Sequence, residues 1–116
     1  MDDQKFKNLK EKYPLLYIEL EYIECSDGWY DLIDELSSKL EDLILELPPQ
    51  DTFQFYAIQV KQKFGELRFY MTQTTQQMDT IIHEYMKKSQ KICEFCGKEG
   101  KLDGTSWLRV VCDACK

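Results

Sequence analysis

The sequence predicts an α+β domain: a small antiparallel β-hairpin or sheet packed on two main helices, followed by a C-terminal ribbon built on four cysteines. Three observations carry this reading. Apolar residues recur at helical spacing from Trp29 to Leu47. They alternate at strand spacing from Phe53 to Met71, around a Lys63-Phe64-Gly65 turn. Two Cys-x-x-Cys pairs then close the chain between Cys93 and Cys115. A chain of 116 residues suits one core with a small addition. Residues 1–91 read as the α+β body and residues 92–116 as the ribbon.

Taken in order, Phe6, Leu9 and Tyr13 share one face of a short first helix. Pro14 limits that helix, because the residue before a proline leaves the helical region. The run YIELEY, Tyr17 to Tyr22, has a period of two. It predicts a strand or extended arm with Ile18, Leu20 and Tyr22 inward and Glu19 and Glu21 toward water.

The segment SDGWYDLIDELSSKLEDLILEL is the clearest helix. Ser26 or Asp27 is the expected N-cap, since either side chain can accept from an unpaired amide. Asp31 suits the positive end of the helix dipole. Trp29, Leu32, Ile33, Leu36, Leu40, Leu43, Ile44 and Leu47 form one apolar stripe. Asp31, Asp34, Glu35, Glu41 and Asp42 lie off it and are expected to form a solvated acidic face. Pro48-Pro49 ends the helix.

Phe53 and Phe55, then Ile58 and Val60, then Leu67, Phe69 and Met71 predict two strands, with Gly65 supplying the positive φ of their turn. The phase shift between Phe55 and Ile58 predicts a bulge or an end of pairing. A last helix is expected from about Thr75 to Lys91. Met78, Ile81, Ile82, Tyr85 and Ile92 supply its buried side.

Cys93-x2-Cys96, fifteen residues, then Cys112-x2-Cys115 matches the spacing of a four-cysteine zinc site. Each Cys-x-x-Cys turn can aim two thiolates at one point, and two such turns complete a tetrahedron of soft ligands. Gly97 permits the tight turn of a knuckle. Gly100 and Gly104 bracket a hairpin whose return strand is WLRVV. A redox Cys-x-x-Cys would follow a strand in a thioredoxin-like unit, which the pattern lacks. Four protein ligands leave no open coordination position, so one structural Zn2+ per chain is expected, with a rubredoxin-like iron as the alternative.

Charge bears on partners. Residues 1–51 carry 14 acids against 5 lysines, and residues 52–116 carry 7 acids against 10 bases. An acidic N-terminal half repels phosphate and is attracted to basic surfaces. From Lys91 to Lys116 there are five bases and four acids, too weak a footprint for direct nucleic-acid binding by the ribbon. The chain shows no apolar run able to span a membrane and no apolar signal-peptide core, so the cytoplasm is the expected compartment. His83, the one histidine, has no nucleophile signature near it, and Cys25 stands alone in an acidic setting as a small buried residue. No phosphate-binding loop or catalytic triad pattern appears, and no enzyme is expected. Aromatic content is high, and Tyr30, Phe53, Phe55, Tyr56, Phe64, Phe69, Tyr70 and Trp107 exceed what a small core can cover, so some are candidate interface anchors.

The motifs DGWYDLIDELSSKLE, QVKQKFGELRFY and ICEFCGKEG…WLRVVCDAC together resemble a family of small phage and prophage proteins. Its members join a GWYDLI-type helix to a KFG-LRFY-type hairpin and end in a zinc ribbon. The resemblance covers about residues 25–115. Some members end the second knuckle in Cys-Asp-x-His; this chain has Cys112-Asp113-Ala114-Cys115. The chain also resembles zinc-binding anti-CRISPR proteins directed at type II RNA-guided nucleases. That likeness implies a stoichiometric inhibitor in the cytoplasm of a bacterial host. It would bind the nuclease directly and block DNA loading or the associated conformational change. Such nucleases hold nucleic acid in positively charged channels. Asp31, Asp34, Glu35, Glu41 and Asp42 are the candidate contact face. The alternative is a nucleic-acid-associated regulator of a mobile element that uses Lys98, Lys101 and Arg109 of the ribbon. A metal-dependent enzyme is a third class, recognisable by turnover.

Overall fold

The computed structural model describes residues 1–104 and 107–116. Helix α1 spans Asp3–Lys12, and a single 3-10 turn, Asp27–Trp29, leads into α2, Tyr30–Leu45. A second 3-10 turn, Thr52–Gln54, precedes strands β1, Ala57–Lys63, and β2, Glu66–Met71. Helix α3, Gln76–Ser89, runs into the ribbon strands β3, Lys101–Asp103, and β4, Arg109–Val111. The strands form two separate antiparallel pairs, so the class is α+β as expected.

Helix α2 is the axis of the core. Trp29, Ile33, Leu36, Leu40 and Ile44 are fully buried with Leu9, Leu16 and Tyr17 from the N-terminal segment. Val60 and Leu67 of the hairpin and Met78 and Tyr85 of α3 complete the same cluster, which also takes in Val110 of the ribbon. Apolar burial of this kind contributes roughly 1.5–3 kcal/mol per large side chain. Side-chain caps start two helices: Asp2 accepts from the Lys5 amide at 3.2 Å, and Thr75 from the Met78 amide at 3.2 Å.

The β1–β2 hairpin closes Lys63 onto Glu66 through a two-residue turn, with φ of 55° at Phe64 and 77° at Gly65. Two successive positive φ values define the turn whose twist matches the strands. Pairing shifts between Ala57 and Gln59, leaving Ile58 as the extra residue of a bulge. Two strands alone are marginal, so their edges need partners. Glu24 covers β1: its amide donates to Val60 O at 2.8 Å, and its carbonyl accepts from the Gln62 amide at 3.1 Å. Ser89 covers β2: its hydroxyl accepts from the Leu67 amide at 2.9 Å and donates to Met86 O. The buried Ser89 is thereby satisfied.

Three expectations need correction. Tyr17–Tyr22 forms no strand. Of the three residues expected inward only Leu20 is buried, alongside Tyr17 and Ile23, whereas Ile18 and Tyr22 face out; Glu19 and Glu21 are exposed as expected. Tyr17 is drawn inward by its hydroxyl bond to Ser37, and the arm meets β1 as a strand would only at Glu24. Neither Ser26 nor Asp27 caps α2 with its side chain. The Asp27 carboxylate instead accepts from the Asp2 amide at 2.7 Å, tying the start of α1 to the entry of α2. Phe53 is 66% exposed in the second 3-10 turn, so the hairpin starts at Ala57 rather than Phe53.

Candidate metal centre

The four cysteine sulfurs of Cys93, Cys96, Cys112 and Cys115 all lie within 4.8 Å of one another. The Cys96 and Cys112 sulfurs are 3.5 Å apart. Ligands held ~2.3 Å from one ion sit roughly 3.8 Å apart at the corners of a tetrahedron, so the cluster has the dimensions of a metal site. Four soft donors and this geometry fit a metal ion.

Each knuckle is shaped by its backbone. In the first, the Cys93 amide donates to Lys98 O at 2.7 Å and the Gly97 amide to Cys93 O at 2.9 Å. Gly97 has φ of 83°, the positive value this reversal requires. In the second, the Cys115 amide donates to Cys112 O at 3.2 Å. The hairpin between them pairs Lys101 with Val111 and Asp103 with Arg109. Part of the predicted WLRVV return strand is present, since β4 begins at Arg109.

The sulfur electrostatics are uneven. Burial opposes ionisation of Cys93, yet the amides of Cys96, Cys112 and Phe95 outweigh it and bring the thiol down to about 6. Hydrogen bonding with Cys96 lowers Cys112 as well. Hydrogen bonding to Cys112 first, then to Cys96 and Cys93, pushes Cys115 up to about 12. Four thiols this close cannot all be thiolates without a positive ion among them, and binding one would release the remaining protons.

The first knuckle is seated in the body. The Gly28 amide donates to Glu94 O at 2.7 Å, and the Ser26 amide donates to the Glu94 carboxylate at 3.1 Å. The Trp29 indole donates to Ile92 O at 2.9 Å. A Cβ on Gly28 would sit 2.3 Å from Cys93 O and 2.5 Å from Glu94 O, so only glycine lets the two backbones meet. The hairpin end docks separately. The Gln62 side chain donates to Leu108 O at 2.8 Å, and Leu102 packs against Gly65 of the β1–β2 turn. Sequence reasoning did not single out Gly28, Glu94 or Gln62. Nothing in the local sequence marks them, because each acts through a contact with a residue distant in the chain.

The acids expected to form a contact face on α2 do not share one role. Glu41 is 6% exposed, and its carboxylate accepts from the Leu15 and Leu16 amides at 3.2 and 2.8 Å. Asp34 accepts from Lys12 at 2.7 Å and from the Tyr13 hydroxyl at 2.6 Å. Burial alone would raise Asp34, but those two bonds hold its carboxyl below the usual value. Glu35 accepts from the Tyr85 hydroxyl at 2.8 Å. Asp31 and Asp42 stay exposed. The five acids therefore do not make a free acidic face: three hold α2 to its neighbours.

The residues suggested for a nucleic-acid contact are also dispersed in function. Arg109 pairs with Asp103 at 3.8 Å, and Lys116 reaches the same carboxylate at 3.7 Å. His83 is exposed on α3. Cys25 is buried, and that burial pushes its thiol up to about 12, as a packed apolar residue requires. Among the described residues no helix is long and apolar enough to cross a membrane. Comparison with protein-family models, with curated proteins and with solved structures finds no match to this chain.

Proposed function

We propose that this chain is a zinc-stapled, non-catalytic binding protein from a phage or prophage that inhibits a type II RNA-guided nuclease by one-to-one contact. The observation that carries the reading is the closed cluster of Cys93, Cys96, Cys112 and Cys115. Four thiolates fill a tetrahedral ion, and zinc is the commonest occupant of such a site. A filled ion has no position for substrate or water, which supports a structural role over a catalytic one. The resemblance to zinc-binding anti-CRISPR proteins supplies the partner. The acidic N-terminal half supports it physically, because complementary charge speeds docking on a basic channel and makes it sensitive to salt.

The test is co-elution of the purified protein with a type II nuclease, with and without guide RNA, with metal measured in the same peak. The expected result is a one-to-one complex carrying one zinc per chain and a nuclease unable to load target DNA. Failure to co-elute, with zinc retained, would remove the nuclease and leave a zinc-ribbon protein with another target.

A second reading, contact of the ribbon with nucleic acid, draws on exposed Phe95 and Trp107 near Arg109. The pairing of Arg109 and Lys116 with Asp103 weakens it. A gel shift at low salt that is lost on substituting Lys98, Lys101 or Arg109 would favour it.

A further inference from the structure

We propose that the groove between the extended arm and the β1 bulge is the docking site for an extended, lysine- or arginine-bearing segment of a protein partner. The inference deepens the reading of the chain as a protein-binding module with a basic partner. It moves the contact from α2, where three of the five acids are already bonded internally, to the arm.

Apolar surface comes first. Ile18, Tyr22 and Ile58 are 47%, 61% and 54% exposed, and Tyr22 and Ile58 line one groove with Leu20 and Gln59. Ile58 is exposed because the bulge at β1 turns it out of the pleat. Bulges recur where a strand must re-aim a side chain. An exposed Tyr beside an exposed Ile in one groove is a composition found in interfaces.

Charge then selects the occupant. Glu19, Glu21 and Glu24 line the same groove. Among the described residues none of the three is in an ion pair, and Glu24 accepts only a neutral bond from Gln59 at 3.2 Å. Three cations lie along the arm. Lys10 donates to Leu20 O at 2.7 Å, the N-terminal ammonium donates to Ile23 O at 3.2 Å, and Lys61 is the bridge partner of Glu24. Yet among the described residues none of them is ion-paired with Glu19, Glu21 or Glu24. A groove that sets exposed Tyr22 and Ile58 among unpaired carboxylates fits a segment that alternates apolar and basic side chains.

The backbone suits the same occupant. From Ile18 to Ile23 no amide donates a hydrogen bond among the described residues. The amides resume pairing only at Glu24, which bonds β1. An arm with unpaired amides can accept an added strand, with side-chain pockets giving selectivity.

The probe is a short fluorescein-labelled peptide alternating arginine and valine, followed by anisotropy at low salt, with its glutamate-for-arginine counterpart as control. Two double variants carry the same change in charge: Glu19→Lys with Glu21→Lys on the arm, and Asp31→Lys with Asp42→Lys on α2. A third, Tyr22→Ala with Ile58→Ser, removes the apolar surface. All six side chains are exposed, so unchanged thermal melting verifies the fold. The expected result is about tenfold weaker binding for the arm pair and for the apolar pair, and less than about twofold for the α2 pair. Equal weakening by the two charge pairs, or no binding of the peptide by the unaltered protein, would overturn the groove. Nuclease capture separates this proposal from the reading beneath it. Capture that survives the arm and apolar substitutions ends the groove and keeps the nuclease. Peptide binding without nuclease capture keeps the groove and ends the nuclease.

Discussion

The two knuckles of the cysteine cluster have the same spacing and different backbone settings, although Cys96 of the first is itself exposed. Cys93 is fully buried, its neighbour Glu94 is locked to Ser26 and Gly28, and its peptide lies directly on Gly28. Cys112 and Cys115 sit partly exposed at the end of a three-residue strand, and Cys115 has only the turn bond to Cys112 behind it. The first knuckle is part of the body and the second is brought to it. A metal ion between them would close the C-terminal segment onto a half-site that the body already holds in place. Metal binding of this kind is folding energy for whatever it closes.

The sharpest way to break this comparison is to remove one ligand from each knuckle. Cys93→Ser should abolish stoichiometric metal binding and also bury a hydroxyl, costing about 2–3 kcal/mol beyond the metal itself. Cys115→Ser should weaken metal binding while the body keeps nearly its full melting temperature after chelation. Metal content and thermal melts of the two variants, with and without chelator, check this.

The seat comes next. Gly28→Ala should cost about 3 kcal/mol, because the added methyl meets backbone and not a movable side chain. Gly97→Ala, strained only by its positive φ and a looser contact with Gly28 O, should cost about 1–2 kcal/mol. Denaturant unfolding of both variants ranks them, and the reverse order would argue against a seated knuckle. Trp29→Phe keeps most of the buried ring but leaves Ile92 O without its donor, at a cost of about 1–2 kcal/mol in the same assay.

The smallest effect lies in the body, away from the metal. Asp34 is lowered in the folded state, so its stabilisation is complete above the ordinary carboxylate range and is lost as pH falls through its lowered value. Its part exposure keeps this to about 1 kcal/mol or less. Asp34→Asn should flatten that acid-side loss in stability-versus-pH curves and leave metal content unchanged.

Much of the fold was legible because its signals are local. The Trp29–Leu47 stripe, the Phe64-Gly65 turn and the phase break at Ile58 each follow from a few neighbouring residues. The four cysteines were legible for the same reason: two short turns with defined ligand chemistry point to one centre. What the sequence hid depends on contacts between distant residues. Glu41 resembles any solvated helix acid until Leu15 and Leu16 present their amides to it. Asp34 and Glu35 meet Tyr13 and Tyr85 only once α1 and α3 have packed. The alternation of Tyr17–Tyr22 holds at Leu20, yet the Tyr17–Ser37 bond and the burial of Tyr17 and Ile23 override it at Ile18 and Tyr22. Gly28 carries no mark in sequence that it seats a peptide from 65 residues later, a contact visible only as the clash its Cβ would make with Cys93 O.

Amide hydrogen exchange of the protein with and without metal tests the central comparison most directly. The account predicts that metal removal releases the amides of β3 and of Cys115, while Gly28, bonded to Glu94 O, and Glu94, bonded to Val110 O, keep most of their protection. Loss of protection at Gly28 and Glu94 together with Cys115 would contradict it. The ribbon would then be one unit that folds onto the body only when metal binds.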